Sequence, residues 1–369
     1  MPDFLSAADE SFRNDLIEFS NTQLPLRQEE SHEARKKRIQ TASKAIGLFY
    51  LTQPRDYGGQ PGTLLQLTLA RETLAQSRLP DTAAAFGPAP GILADCGEPL
   101  LSTHLLPLLA GERSCAFAFT EPDDAPRPSW AIRDGAQLVV NGAKSYVTGG
   151  TEADFINALI HIEEEGPAMV AIDCATKGVD ITRTFSSLDG SRHAYFTFTD
   201  AHVPVSHIIG QPGEGLPRAL RQIGDTRLAI AALCSGTMLW VLDYLAEHIQ
   251  RPHRGGTPLA DLESVRLRYA QLRIDAYAAR SMLYRTARLG DAGENIVNES
   301  IATKVFTTEA LGRIVEEAIQ LVGGQALRTE HPLASLYTEV RSYKLTEGAS
   351  DVLRLNLARG HLDLQKGRI

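Results

Sequence analysis

The chain has 369 residues, 43% of them apolar, and 37 basic against 45 acidic side chains give a formal net charge of −8. A chain of this size and composition buries substantial cores without disulfide staples, and interleaved charges with an acidic excess exclude the basic stripe of a general nucleic-acid surface. Cys96, Cys115, Cys174 and Cys234 are scattered with no C-x-x-C spacing, which predicts free thiols in a reducing, cytoplasmic compartment.

At the N-terminus, Met1-Pro2-Asp3-Phe4 lacks the basic start and apolar core of an export signal. From about Phe4 to Ala110 the apolar residues recur at helical spacing, as at Leu64, Leu67 and Leu74, with breaks at Pro54, Gly58-Gly59, Pro88 and Pro90. Between Cys115 and Val203 the period shortens. Cys115 to Phe119, Leu138 to Val140, Phe155 to Ile162, Met169 to Ile172 and Tyr195 to Phe198 read as strands, and Asp134-Gly135 reads as a hairpin turn. Helical spacing returns over Leu216 to Gln250, Leu259 to Leu289, Asn295 to Leu321 and about Ser350 to Arg359. The uncharged stretch Leu228 to Leu242 is shorter than the roughly 20 residues of a membrane span and carries Ser235 and Thr237, so a core helix and no membrane partner are expected. The reading is an α+β chain in three parts: an N-terminal helical domain over 1–113, a β domain over 114–213 and a helical bundle over 214–369.

Helices, then strands, then helices rule against a doubly wound nucleotide-binding fold, and no G-x-G-x-x-G or P-loop is present. H-E-x-x-H and G-x-S-x-G are also missing, so zinc hydrolysis and serine-hydrolase chemistry have no support. The histidines are isolated from one another, and no metal site is assigned.

Several segments, in order from about Gly47 to His361, together resemble the acyl-CoA dehydrogenase family. Pro54-Arg55-Asp56-Tyr57-Gly58-Gly59 and Leu106-Pro107-Leu108-Leu109-Ala110-Gly111-Glu112 are similar to its structural signatures. Phe117-Ala118-Phe119-Thr120-Glu121-Pro122 resembles the strand end that hydrogen-bonds the flavin, and Asn141-Gly142 through Lys144, Tyr146, Val147 and Thr148 resembles the strand lying along the isoalloxazine ring. Gln320-Leu321-Val322-Gly323-Gly324 is similar to the motif that meets the pyrophosphate of a flavin bound mainly by a neighbouring subunit. Backbone approaches phosphate closely where no side chain intervenes. Thr346-Glu347-Gly348-Ala349-Ser350-Asp351 resembles the segment whose glutamate is the catalytic base, and Arg227 falls where the family keeps an arginine near the substrate thioester.

The resemblance implies an acyl-CoA dehydrogenase-like fold with a barrel-like middle domain and a C-terminal four-helix bundle. It implies FAD held by Phe117, Phe119, Thr120, Tyr146, Thr148, Arg251, Arg254, Gln320, Leu321, Gly324, Ala349 and Asp351, and an acyl-CoA or carrier-bound acyl thioester met by Arg227, Thr346 and Gly348. Glu347 would abstract the α-proton while the β-hydrogen passes as hydride to flavin N5. A thioester α-proton is too weakly acidic for an ordinary aqueous carboxylate, with a pKa of about 4.3, so the base must be desolvated and the developing enolate stabilised. An electron-transfer flavoprotein is the implied acceptor, and a homo-oligomer, dimer or tetramer, the implied assembly.

The sequence departs from the family's pattern in the flavin contacts. Asp123-Asp124-Ala125-Pro126-Arg127 follows Pro122 in place of a small polar phosphate loop, and Arg251-Pro252-His253-Arg254-Gly255-Gly256 replaces an arginine-x-x-phenylalanine-glycine motif, leaving Arg251 or Arg254 as substitutes. Tyr146 replaces a tryptophan, and Thr346 and Ala349 replace a tyrosine and a threonine. Three functions remain open on these residues: the dehydrogenase, a flavin oxidase or monooxygenase on the same fold, and a flavin-poor structural partner in a heteromeric dehydrogenase.

Overall fold

The computed structural model of the chain describes residues 5–253 and 255–365. Ser6 opens the first helix by accepting from the Asp9 N–H, and Asp9 returns the bond to the Ser6 N–H, satisfying two donors that a helix start leaves open. That helix, α1 (Ala7–Gln23), is followed by α2 (His32–Ala45) and α3 (Leu64–Gln76), the last capped in the same way by Thr63 and Gln66. Leu16, Phe19, Ile39, Leu48 and Leu74 pack together in this region.

A π-helical turn at Leu101–Leu105 runs into α4 (Leu106–Ala110). The strands are β1 (Cys115–Ala118), β2 (Trp130–Asp134), β3 (Gln137–Thr148), β4 (Phe155–Ile162), β5 (Gly166–Asp173), β6 (Val179–Ser186), β7 (Arg192–Pro204) and β8 (Ile208–Ile209). They form one sheet in the order β6-β7-β3-β2-β4-β5-β8, with β1 parallel to β4. The Asp134-Gly135 turn joins β2 to β3 as expected, with Asp134 opposite Gln137. Three strands escape a reading by pattern: β2, whose apolar run Trp130-Ala131-Ile132 is only three residues, the two-residue β8, and β6, where Val179 alone is buried. One set of sheet side chains, including Val140, Val147, Ile156, Phe196 and Val203, forms its own core. Another, with Phe155, Met169 and Ile209, packs on Ile92, Leu93, Leu105 and Leu108.

The chain then enters α5 (Gly215–Gln250), α6 (Glu263–Asp291), α7 (Val297–Val322), α8 (Pro332–Tyr343) and α9 (Ser350–Leu362). Met238 and Leu245 of α5, Leu272 of α6, Leu311 and Ile314 of α7 and Leu336 of α8 share one core. By length and composition α5 is apolar enough to cross a membrane, and 67% of its most apolar window is buried inside the protein, as in the core helix that the sequence predicts. The short α8, opened by Pro332, lies in a stretch where the sequence reading expects no element.

Two compact units result. One comprises residues up to Leu51, Pro61–Phe86 and the chain from Gly224 onward; the other comprises Thr52–Gln60 and Gly87–Ile223. In the first, Glu72 of α3 is 2% exposed and accepts from Arg280 Nε at 2.8 Å and Nη2 at 3.0 Å, from the Tyr284 hydroxyl and from Ser235 Oγ at 2.6 Å. Four hydrogen bonds from three residues compensate one buried carboxylate, joining α3 to α5 and α6.

Candidate active site

The first unit carries the expected base. After α8 the chain turns through Lys344–Gly348 before α9 begins, and the Thr346 N–H donates to Ser342 O at 3.0 Å while the Ser350 N–H donates to Lys344 O at 2.9 Å. Glu347 stands in this turn with φ 56° and Gly348 with φ 108°. The left-handed region is strained for a glutamate, and two cations hold the turn there. Arg227 Nε of α5 donates to the Glu347 carbonyl at 3.1 Å, and Lys304 Nζ of α7 donates to the Gly348 carbonyl at 2.9 Å. Arg227 is 9% exposed and Lys304 is fully buried. A Cβ at residue 348 would stand 3.0 Å from Leu353 Cδ2 and 3.7 Å from Arg227 Nη2, so glycine is set by space as well as by φ.

Burial raises the Glu347 pKa above the ordinary carboxylate range, opposed by the charges of Arg227 and Lys304. The same cause pushes Lys304 down to about 8. Arg227 thus acts on the backbone of Glu347. Lys304 escapes the sequence reading, although a lysine on the apolar face shared by Ile301 and Val305 is a legible anomaly. Of the other residues expected here, Thr346 is exposed and donates to Ser342 O at 3.1 Å, Ala349 is the N-cap position of α9, and exposed Asp351 accepts from Arg354 at 2.8 Å.

At the end of α7 the Gly323 N–H donates to Ile319 O, and Gly323 has φ 83°. Gly324 has no such backbone demand, and nothing among the described residues stands within 4 Å of a Cβ added there. Gln320 is exposed, whereas the Leu321 side chain belongs to the bundle core, so only its backbone is free to face a ligand. Exposed Arg251 pairs with Glu247 at 3.1 Å, and Arg254 lies outside the described residues.

The second unit carries the expected flavin strands. Phe117 and Phe119 stack at 6.1 Å between ring centroids. The Ser145 N–H donates to Thr120 O at 2.8 Å, joining the end of the β1 segment to β3. Beneath them Lys144, fully buried, pairs with Glu121, which also accepts from Ser129 Oγ at 2.9 Å. A Cβ on Gly142 would stand 2.6 Å from Ser129 Cα. Register shifts between β3 and β7 at Lys144/Val147 accompany a φ of 52° at Tyr146, and its ring is 58% exposed beside Phe185, His193 and Tyr195. Thr120 and Thr148 are exposed as well. Sequence reasoning also misses His193, whose Nδ1 lies 3.1 Å from Thr148 Oγ1 and whose Nε2 lies 2.7 Å from Ser187 Oγ. The Asp123 and Asp124 side chains are exposed, and Arg127 pairs with Glu163 and covers Trp130.

A family model for the C-terminal domain of acyl-CoA dehydrogenases matches residues 213–362. The mitochondrial short-chain specific acyl-CoA dehydrogenase of Homo sapiens is 26% identical over 86% of this chain and 80% of its own length. Among solved structures, the glutaryl-coenzyme A dehydrogenase–glutaryl-CoA complex superposes with a TM-score of 0.83 at 22% identity, covering 99% of this chain and 98% of that one. The prolyl acyl carrier protein oxidase AnaB gives a TM-score of 0.83 at 21% identity, over 96% and 99%. The chain thus carries a match to the C-terminal domain of the acyl-CoA dehydrogenase family and is similar over most of its length to members of that family. Members of that family are FAD-dependent oxidoreductases acting on CH–CH groups.

The residues present fit a flavin in chemistry. Two exposed threonines and an exposed tyrosine lie together in the second unit, and Gly324 is exposed, with open space around its Cβ position among the described residues.

Proposed function

We propose that this chain is an FAD-dependent dehydrogenase that oxidises the Cα–Cβ bond of an acyl thioester, with Glu347 as the α-proton base. The observation that carries the reading is the Glu347 turn, whose backbone carbonyls are held by two buried cations and whose half-buried glutamate has a raised pKa. Because Arg227 and Lys304 bond carbonyl oxygens, the Glu347 carboxylate is left to accept a proton. Its raised basicity brings it nearer the acidity of a thioester α-carbon. The Glu347 N–H, which takes no part in the turn's backbone hydrogen bonds, is the proposed donor to the thioester oxygen as negative charge develops there.

FAD, when bound, supplies the hydride acceptor. Phe117, Phe119, Thr120, Tyr146 and Thr148 are the proposed contacts of its ring system, and Gln320, the Leu321 backbone, Gly324, Ala349, Asp351, Arg251 and Arg254 are the proposed further contacts. His193 and Ser187 fix the direction in which the Thr148 hydroxyl points. Arg227, Thr346 and Gly348 border the proposed thioester. A coenzyme A ester is the primary candidate, by analogy with the human relative, and a carrier-bound acyl group is the second, by analogy with the carrier-protein oxidase. An electron-transfer flavoprotein as acceptor, a cytoplasmic setting and a homodimer or homotetramer complete the proposal.

Solvent exchange of the substrate α-proton tests the base directly. With a panel of acyl-CoA esters in deuterated buffer, the wild-type protein is expected to exchange the α-proton of its preferred ester, and Glu347→Gln to lose about 10²–10⁴-fold of that rate. Equal exchange by the two proteins would remove Glu347 from the mechanism.

A further inference from the structure

Within the second unit, three polar residues remote in sequence come together. His104 lies in the π-helical turn before α4, Asp173 is the last residue of β5, and His207 ends the short 3₁₀ turn before β8. One ligating atom from each lies within 4.8 Å of the other two.

The hydrogen bonds around them set the tautomers. Thr103 Oγ1 donates its one hydrogen to Pro99 O at 2.8 Å and so accepts from His104 Nδ1 at 2.8 Å. His207 Nδ1 lies 3.0 Å from Ala171 O, which can only accept, so this nitrogen also carries the proton. In the neutral form each ring then presents an Nε2 lone pair. His104 is 1% exposed, and its Nε2 is buried without a hydrogen-bond partner, 3.4 Å from Asp173 Oδ1. Two lone pairs and a carboxylate thus meet where a cation is called for.

The ring geometry suits a shared ion. The His104 and His207 centroids are 4.9 Å apart, at 80° to each other. Two imidazoles on one tetrahedral ion, with metal–nitrogen bonds of about 2.0–2.1 Å, place their centres about 5 Å apart. Thr103 and Ala171 O hold the Nδ1 atoms on the far side of the two rings, Phe155 packs against the His104 ring at 4.7 Å, and Arg113 donates to Asp173 Oδ1, the oxygen that faces His104 Nε2. Arg113 occupies one carboxylate oxygen and leaves the other.

We propose that the second unit binds one divalent transition-metal ion of the zinc class through His104 Nε2, His207 Nε2 and an Asp173 oxygen, with water completing the coordination. Nitrogen and carboxylate ligands in this number suit such an ion. The ion ties the turn before α4, the end of β5 and the turn before β8 to one point, a structural role independent of Glu347.

The test uses the untagged, chelator-treated full chain titrated with Co²⁺. The expected result is a visible d–d absorption that saturates at one equivalent, is displaced by Zn²⁺, and weakens more than about tenfold in His207→Gln and in Asp173→Asn. Circular dichroism of the two variants checks that they fold, and Zn²⁺ is expected to raise the melting temperature of the wild type and of neither variant. The absence of a saturable band, or a band unchanged in both variants, overturns the proposal and leaves a proton on His104, donated to Asp173, as the occupant.

Discussion

Burial acts in opposite senses on the two ionisable groups at the active-site turn, raising the pKa of Glu347 and lowering that of Lys304 to about 8. Because the Lys304 charge opposes the upward shift of Glu347, Lys304→Met is expected to raise the Glu347 pKa further. The acidic limb of the kcat/KM–pH profile then moves to higher pH, and an unmoved limb would show that Lys304 acts on the backbone alone. Stability carries a second signature. Folded Lys304 loses its proton near pH 8, against an ordinary value of 10.5, so between these values the unfolded chain binds more protons and this residue's contribution to stability rises with pH. It is lost as pH falls through 8. In Lys304→Met that part of the pH dependence of the unfolding free energy should vanish. Glu347, Gly348 and Arg227 were legible in the sequence through the family resemblance alone, whereas the cations' use of carbonyl oxygens was not, because backbone conformation at residues 347 and 348 decides it.

Helix and strand ends determine how the proposed cofactor contacts are presented. The Asn141–Thr148 motif is visible in the sequence, but the register shifts of β3 against β7 and the Tyr146 conformation are not. They arise from pairing with a strand that the motif does not contain. His193 is invisible for the same reason, since it faces Thr148 across the β3–β7 pair. In the other unit, the end of α7 supplies an element-level test. Gly324 has open space around its Cβ position and no positive φ, so Gly324→Ala should change stability by less than about 0.5 kcal/mol. If its backbone meets the flavin, the same substitution weakens FAD binding, measured by fluorescence titration. Unchanged FAD affinity would remove Gly324 from the site.

At the scale of the whole chain, the coarse order of helices, sheet and helices follows from apolar periodicity, while long-range closure does not. Glu72 reaches Arg280 across 208 positions, and nothing in the local pattern of α3 marks that glutamate as a buried hub. Glu72→Ala leaves the Arg280 charge and the Tyr284 hydroxyl without this partner. It is expected to cost about 3–5 kcal/mol, read as a lowered urea midpoint. A loss under about 1 kcal/mol would mean that packing, rather than this network, joins α3 to α5 and α6. The central claim, flavin-dependent oxidation initiated at Glu347, is tested most directly by the anaerobic visible spectrum of the FAD-loaded protein during titration with acyl-CoA esters. The account predicts that the flavin band bleaches with a preferred ester and persists in Glu347→Gln. Failure to retain flavin in excess FAD, or bleaching that survives the substitution, would contradict it.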